Sequence, residues 1–275
     1  ILLNITPDHL DRYEYCMQHY VDAKMRIIQN QTSQDSFIFW NDDPIIKHEL
    51  EKYNIQSMTY PFSELKEKGS IAYIEEGIYK IEKPTPFNME QEELSLTGKH
   101  NVYNSLAAGI ASNISGIKKE IIRKSLSDFP GVEHRLEKVC KIGGVQYIND
   151  SKATNIIATQ TALRSFTNQS VVLIAGGLDR GFMFDSLVPL FKKHVKSIVL
   201  YGETKYLLAD AARKAGIKDI VIVNTLQEAV PRAYELSEAG DVILFSPACA
   251  SWDQFNTFEE RGDFFVKFIK ELKTK

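Results

Sequence analysis

The chain has 275 residues, 44% of them hydrophobic and 25% charged, and its formal net charge is -3. This length predicts two domains of ordinary size or one large one, and the composition is that of a globular chain able to bury a core. The small negative charge gives no support for a surface that binds nucleic acid or an anionic membrane, so we expect neither as a partner.

The three cysteines, Cys16, Cys140 and Cys249, are far apart and lack the CxxC or His/Cys spacing of a zinc site. We therefore expect no disulfide framework and a location in a reducing cytoplasm. No apolar run reaches the roughly 20 residues that a membrane-spanning helix needs.

The N-terminal half mixes helical periodicity with short strands. Ile1–Asn4 has the pattern of the end of a buried strand, which leads us to expect that the chain is a fragment of a longer protein. The pattern then predicts a helix near 14–29, a strand at 36–40, a helix at 45–53, a hairpin at 71–73 and 78–81, and helices at 102–114 and 118–127. The turn Phe129-Pro130-Gly131 predicts a boundary between a domain of residues 1–131 and one of residues 132–275.

The C-terminal half alternates strands and helices. Strands are predicted at 145–148, 171–175, 197–201, 220–223 and 242–245, and helices at 156–164, 184–190, 205–215, 226–239 and 258–273. Repeated strand-helix units predict a parallel, doubly wound α/β sheet that is Rossmann-like in outline. Thr257 is expected to cap the last helix together with Glu260. Neither GxGxxG nor GxxxxGK[ST] occurs, so the usual dinucleotide and P-loop interpretations fail for these residues.

Polar loops follow three strands of the predicted sheet, at residues 149–155, 175–181 and 246–255. Ligands of α/β proteins bind at the carboxyl ends of such strands, so the three loops predict one binding crevice. Lys152 suits a site where negative charge accumulates on a transferring phosphoryl or acyl oxygen, and Arg180 could hold a carboxylate.

Structural explanations compete with these functional ones. Asp150 or Ser151 could simply cap the next helix. The glycines before Arg180 belong to the functional interpretation, because they would let the backbone approach a ligand. Cys249 has no evident His partner, which argues against a nucleophile.

Further candidates lie outside these loops. Asp8-His9, with Lys24, could bind a divalent metal or a water, or Asp8 could be a capping residue beside a half-exposed His. Asn101 and Asn104 share a helix face and could read a planar base, or they could cap the helix start.

Arg135, just past the predicted boundary, could bind phosphate in a bidentate manner. The alternative is an ion pair with Glu133 or Glu137.

Five motifs together resemble the Mur ligases of peptidoglycan synthesis, and within them the type that adds D-glutamate. They are LNITPDHLDRY at 3–13, GKHNVYN at 98–104, PGVEHRLE at 130–137, NDSKATN at 149–155 and SPACASWDQF at 246–255. The resemblance implies a three-domain protein. Here the N-terminal domain and the P-loop part of the central ATPase domain are expected to be missing, so that 1–131 is the remainder of a central α/β ATP-binding domain and 132–275 a complete amino-acid-binding domain.

The resemblance also implies a reaction. ATP converts the carboxylate of UDP-N-acetylmuramoyl-L-alanine (UDP-MurNAc-L-Ala) into an acyl phosphate, and the amine of D-glutamate attacks it, giving an amide, ADP and phosphate. The implied cofactors are ATP and Mg²⁺, and a monomer is expected.

Roles in the central domain carry over residue by residue. His9 resembles a magnesium ligand, and Lys24 matches a lysine that becomes carbamylated and so turns into a carboxylate-like, metal-associated group. Asn101 and Asn104 match contacts to adenine.

In the C-terminal domain, Arg135 and Asp150 match phosphate and ribose contacts. Lys152 and Thr154 match residues near the reacting carboxylate and D-glutamate, with Lys152 in a catalytic role.

Ser251 and Phe258 match D-glutamate contacts, as does Arg180, which stands where the family usually has a lysine. Thr257 stands where an asparagine is expected. At position 180, arginine presents a planar, forked cation where lysine would present a compact one, so D-glutamate is expected to be held differently here.

Two other functions fit the same residues. One is another ligase of the superfamily, such as a folylpolyglutamate synthase, against which the NDSKATN motif argues. The other is a non-catalytic module that holds a nucleotide or an amino acid. Because these residues contain no P-loop, we expect no ATP hydrolysis from residues 1–275 alone.

Overall fold

Two units divide the chain, Ile1–Pro130 and Gly131–Lys275. The computed structural model describes residues 1–8, 10–96 and 98–273, so His9, a predicted site residue, lies outside the described residues. Each unit combines one mixed β-sheet with helices, which confirms the predicted α/β class.

The first unit is built on a five-stranded sheet in the order β1-β2-β3-β4-β5. Its strands are β1 (Ser36–Trp40), β2 (Met58–Leu65), β3 (Ala72–Glu75), β4 (Ile78–Ile81) and β5 (Phe87–Glu90), and its helices are α1 (Met17–Met25), α2 (Pro44–Leu50), α3 (Lys99–Ile114) and α4 (Lys119–Asp128). The first three strands are parallel, whereas β4 and β5 each run antiparallel to the strand before. The predicted hairpin is confirmed: Glu76 and Gly77 both have positive φ, as a two-residue hairpin turn favours.

Helices pack on both faces of this sheet because successive residues of a strand point to opposite sides. Ile38 of β1 belongs to the cluster in which α3 buries its apolar residues, among them Leu106. Its neighbours Phe37 and Phe39 belong to the cluster formed with α1 and α2.

The N-terminal segment is less regular than predicted. Of the expected opening strand, Leu2 alone forms a bridge, with Phe39 of β1. The first helix starts later than predicted, at Met17, because Glu14 and Tyr15 have φ values of 56° and 55°, outside the helical region.

The second unit is built on a six-stranded sheet in the order β10-β9-β8-β11-β7-β6. Its strands are β6 (Glu137–Ile142), β7 (Val145–Asn149), β8 (Val171–Gly176), β9 (Val195–Tyr201), β10 (Asp219–Ile222) and β11 (Val242–Phe245), and its helices are α5 (Ile156–Arg164), α6 (Val188–His194), α7 (Lys205–Lys214), α8 (Leu226–Glu235) and α9 (Phe258–Lys273). The five strands from β7 to β11 are parallel, as predicted. β6 was not predicted and pairs antiparallel with β7.

The sheet is doubly wound, with helices on both faces. Leu173 and Leu200 pack with α5, α6 and α7, whereas Ile174 and Val199, one residue away on the same strands, pack with α8 and α9. The chain leaves β7, passes through β8, β9 and β10, and returns as β11 between β7 and β8. The carboxyl ends of β7, β11 and β8 therefore lie side by side.

Helix α9 begins as predicted. The Thr257 hydroxyl accepts the N–H of Glu260 at 3.1 Å, whereas the Glu260 carboxylate accepts the N–H of Asn256, one residue earlier than a standard capping box places it. No helix in residues 1–8, 10–96 and 98–273 is both long and apolar enough to cross a lipid bilayer.

Candidate functional site

Asp150 is the buried centre of the loop that follows β7, with 5% of its surface exposed. Its Oδ1 accepts the N–H of Leu136 at 3.2 Å, and its Oδ2 accepts the Ser246 hydroxyl at 2.7 Å. Burial raises the pKa of Asp150 to about 7, although these two hydrogen bonds and the charge of Arg135 oppose the rise. The carboxyl group therefore titrates near neutral pH.

Neither Asp150 nor Ser151 caps the next helix, so that part of the structural alternative is wrong. The N-cap of α5 is Asn155, whose side chain accepts the N–H of Ala158 at 2.9 Å. The loop thus has room for five residues between the end of β7 and the helix cap, and this places Lys152 in the middle of the loop.

A buried arginine fixes this loop to the last one. Arg261 of α9 has no exposed surface and donates to Ser151 Oγ at 3.1 Å and to the Ser151 carbonyl at 2.8 Å. It also donates to the carbonyl of Cys249 at 3.0 Å, in the loop after β11. Because a buried guanidinium needs partners for its N–H groups, these bonds hold the two loops in one arrangement.

Lys152 projects from the anchored loop, and its side chain is exposed. Its Nζ lies 3.8 Å from the centroid of the Phe258 ring at the start of α9. His134 contacts the Phe258 ring edge-on, and the His134 carbonyl accepts the Lys152 N–H at 2.9 Å. The structure therefore brings together two predicted site residues, Lys152 and Phe258.

The turn after β8 carries the second predicted cation. Gly176 and Gly177 have φ values of 133° and 147°, and a Cβ would lie 2.0 Å from the Tyr201 carbonyl oxygen at Gly176 and 2.3 Å from the Ala250 carbonyl oxygen at Gly177. Neighbouring protein backbone therefore requires glycine at both positions. This is a different reason from the expected one, which was the approach of a ligand to the backbone. Arg180, half-buried, follows three residues after Gly177.

The remaining predicted contacts of this unit are less accessible. Ser251 is 2% exposed, and its carbonyl accepts the N–H groups of Gln254 and Phe255. Thr154 is half-buried. Burial also raises the pKa of the Cys249 thiol to about 12, which argues further against a nucleophilic role.

Arg135 lies exposed in a strained segment, between His134 (φ 62°) and Leu136 (φ 47°). The proposed ion pair with a neighbouring glutamate is absent: in the part of the chain that the structure describes, no carboxylate lies within 4.0 Å of its guanidinium. Glu137 instead accepts hydrogen bonds from the His134 N–H and from Asn149. Arg135 thus remains available to an anionic ligand.

In the first unit, Lys24 is exposed in the last turn of α1, with its Nζ 5.1 Å from the Tyr20 ring centroid. Within the described residues, no three His, Cys, Asp or Glu side chains lie close enough to hold a metal ion. An unmodified lysine repels a divalent cation, so Lys24 could associate with a metal only in the carbamylated form that the resemblance implies.

Asn101 and Asn104 lie in the first two turns of α3, half-buried and exposed respectively. The N-cap position of α3 is Gly98, whose carbonyl accepts the N–H groups of Asn101 and Val102.

Two domain families match the chain. Residues 1–112 match the Mur ligase middle domain, and residues 134–249 match the Mur ligase glutamate ligase domain. The chain belongs to the Mur ligase family. This confirms the resemblance that the sequence motifs indicated.

Curated relatives in the family are similar over nearly the whole chain. The UDP-N-acetylmuramoylalanine–D-glutamate ligase of Bacteroides fragilis is 52% identical over 272 residues, which are 99% of this chain and 61% of the relative. The ligase of the same name from Lactobacillus johnsonii is 59% identical over 268 residues, 97% of this chain and 57% of the relative. The chain thus spans about three fifths of these relatives.

Solved structures of Mur ligases share the fold. The MurF ligase of Thermotoga maritima in complex with ADP has a TM-score of 0.69 at 18% identity, covering 98% of this chain and 62% of that one. MurF from Acinetobacter baumannii has a TM-score of 0.73 at 18% identity, covering 99% of this chain and 59% of that one.

Three residues that organise the candidate site were given no role of their own from sequence: Arg261, His134 and Ser246. Arg261 stands four residues before Phe265, on the apolar face of α9, and a lone charge on such a face was a usable signal. Ser246 directly follows the buried strand β11, where a hydroxyl was also a signal.

Proposed function

We propose that the protein containing this chain is an ATP-dependent ligase that adds D-glutamate to UDP-N-acetylmuramoyl-L-alanine. The observation that carries the proposal is a pair of cations, Lys152 after β7 and Arg180 after β8. Among the described residues neither has a carboxylate within 4.0 Å, and β11 alone separates their strands. Two strand spacings are about 10 Å, so one cation can hold a carboxylate of an amino acid while the other lies near the charge that develops in the reaction.

The relatives that are 52% and 59% identical, both named for D-glutamate addition, favour D-glutamate as that amino acid. In the proposed reaction, a carboxylate oxygen of the L-alanyl group takes the terminal phosphoryl group of ATP, releasing ADP. The uncharged amine of D-glutamate then adds to the carbonyl carbon, and phosphate leaves as the amide forms and the amine loses a proton.

Lys152 is assigned to the charge that develops in this reaction. Its ammonium group is exposed and lies over the Phe258 ring, on a loop that Arg261 holds in place. A fixed cation that stabilises a developing oxyanion needs no rearrangement during the reaction, which is the main source of electrostatic catalysis. Thr154, Ser251 and Phe258 are assigned to D-glutamate.

ATP binding is proposed for both units. Asn101 and Asn104 are assigned to adenine in the first unit, whose match to the middle domain supports an ATP-binding domain. Arg135 and Asp150 are assigned to phosphate and ribose in the second unit, and the exposed, unpaired guanidinium of Arg135 supports this.

The role of Mg²⁺ rests on the family resemblance alone. It assigns the metal to His9 and to Lys24 in a carbamylated form, and no step of the reaction is assigned to it here.

We further propose a cytoplasmic monomer that acts without nucleic acid or membrane. None of the three cysteines, all of which are described, forms a disulfide, as is usual in a reducing compartment. The substrates proposed are small and charged.

Phosphate release by the full-length protein tests the function. We expect release only when ATP, UDP-MurNAc-L-Ala and D-glutamate are all present. Equal turnover with L-glutamate or meso-diaminopimelate in place of D-glutamate would overturn the proposed substrate, while leaving a ligase of the same family.

A further inference from the structure

The turn that carries Arg180 is fixed to the loop after β11 through its backbone. Leu178 and Ala250 form an antiparallel bridge, with the Leu178 N–H donating to the Ala250 carbonyl at 3.0 Å. Beyond the bridge, the Gly181 N–H donates to Asp179 Oδ1 at 2.8 Å, which closes the turn around Arg180. The backbone of this turn is therefore defined, but no backbone contact fixes the Arg180 side chain.

Two aromatic rings flank the Arg180 guanidinium. Its central carbon lies 5.7 Å from the centroid of Trp252 and 6.0 Å from the centroid of Phe182. Both distances are within the range of a cation–π contact. Trp252 is 60% exposed, so its ring is accessible at the surface beside this cation.

An aromatic contact engages the flat face of a guanidinium group. Its N–H donors point outward in the plane of the group and stay accessible. No carboxylate of residues 1–8, 10–96 or 98–273 comes within 4.0 Å of this cation. The donors are thus oriented and available for a bidentate contact with a carboxylate from outside the chain.

We propose that Trp252, assisted by Phe182, is a positioning residue that orients Arg180 to bind the side-chain carboxylate of the incoming amino acid. This rests on the proposed function. Arginine has a long side chain with many rotamers, and a single contact does not fix it. Contacts with two rings limit these rotamers, which explains how an arginine can serve at this position. Trp252 then determines specificity for an acidic amino acid without touching it.

Steady-state kinetics of the full-length protein test the proposal. Trp252→Ala is expected to raise KM for D-glutamate about fivefold to tenfold, the range of a partly desolvated cation–π contact, with kcat within about twofold. Trp252→Phe is expected to stay within about twofold of the wild type, because its ring keeps the stacking. KM for ATP and for UDP-MurNAc-L-Ala is expected to be unchanged.

Tyr206→Ala is the matched control. Tyr206 is 63% exposed and also flanks a cation, Lys205, at 5.6 Å, but it lies on α7 beyond β9. We expect no change in KM for D-glutamate. A wild-type KM in Trp252→Ala, or an equal rise in Tyr206→Ala, would overturn the proposal.

A double-mutant comparison separates positioning from general loss of structure. In an Arg180→Ala background, Trp252→Ala is expected to raise KM no further, because the cation that Trp252 orients is gone. A rise as large as in the wild-type background would show that Trp252 acts independently of Arg180, against the proposal.

A binding measurement distinguishes this inference from the proposed function. The chain has two tryptophans, so Trp40→Phe leaves Trp252 as the sole indole emitter of residues 1–275. Titration with D-glutamate is expected to change this emission, and Arg180→Ala to remove the change. An emission response without ligase turnover would contradict the proposed function but support the inference. Ligase turnover without an emission response would support the proposed function but contradict the inference.

Discussion

The loop of residues 149–155 and the turn of residues 177–181 leave the same edge of one sheet, and each carries one cation, but they are held differently. Asp150 and Ser151 are buried and are hydrogen-bonded to three other segments, through Leu136, Ser246 and Arg261. The turn has a backbone bridge with Ala250 and hydrogen bonds with Thr204 and the exposed Glu203. Both cations lie near aromatic rings, so the buried frame beneath Lys152 is the difference between them. Such a frame suits a charge that must be in place for the reaction step, whereas the turn suits recognition of a substrate.

This contrast predicts different kinetic effects at the two places. Changes in the anchored loop are expected to lower kcat, because its cation acts on charge that develops during the reaction. Changes around the turn are expected to raise KM for the amino acid.

Lys152→Ala is expected to lower kcat of the full-length protein about 100- to 1,000-fold, the usual effect of removing one oxyanion-stabilising group. Circular dichroism and the unfolding midpoint are expected to be unchanged, because the Lys152 side chain is exposed. Lys193→Ala, an exposed lysine near the end of α6, is the control and is expected to keep full activity. Activity of Lys152→Ala within tenfold of the wild type would remove the proposed role.

Arg261→Met is expected to lower the free energy of unfolding of the second unit by about 3 kcal/mol, because three hydrogen-bond acceptors lose their buried donor. Denaturant titration of residues 1–275 measures it. Arg164→Met, at an exposed position of α5, is expected to change it by less than about 0.5 kcal/mol. Equal values for the two variants would show that the loop is not held through Arg261.

Asp150→Asn is expected to change how stability depends on pH. Burial raises the pKa of Asp150 from 3.8 to about 7, so the folded state binds this proton more tightly than the unfolded chain. The resulting contribution to stability is complete below about pH 4 and is lost as the pH rises through about 7.

The free energy of unfolding of the wild type minus that of Asp150→Asn should therefore fall across this interval, by up to about 1.4 kcal/mol per pH unit. Taking the difference cancels other titrating groups. A difference that is constant from pH 4 to 8 would contradict a raised pKa.

Thr257→Ala is expected to have the smallest effect, a loss of about 1 kcal/mol in the free energy of unfolding, because Thr257 accepts the Glu260 N–H at the start of α9. Thr257→Asn is the matched control, since asparagine is also a good N-cap, and is expected to restore the wild-type value. Thr257→Asn also introduces the residue that the resemblance led us to expect at this position. If it lowers KM for D-glutamate, this position has a role in binding besides capping.

The sequence predicted the central strands of the second unit well, for a physical reason. β8 is buried at all six positions, and a strand buried on both faces appears as an uninterrupted apolar run. β6 was missed because none of its six positions is buried and charged residues interrupt its apolar ones. β2 was missed as a long strand because Pro61 interrupts it.

For the site, the rule that ligands bind at the carboxyl ends of strands located Lys152 and Arg180 correctly at one edge. It could not supply Arg261, because Arg261 lies on helix α9 and not at the end of a strand. It also could not supply the left-handed conformations of His134 and Leu136, which non-glycine residues adopt only when tertiary contacts impose them.

The antiparallel strand β6 has one more consequence, for self-association. An unpaired sheet edge can recruit an edge from another molecule and so start aggregation. β6 covers the outer edge of β7 and presents Lys138 and Lys141, both exposed, as the new border of the sheet. If two molecules paired through this edge, their lysines would lie close together and repel each other. The edge therefore disfavours edge-to-edge pairing of sheets between copies of the protein at high concentration.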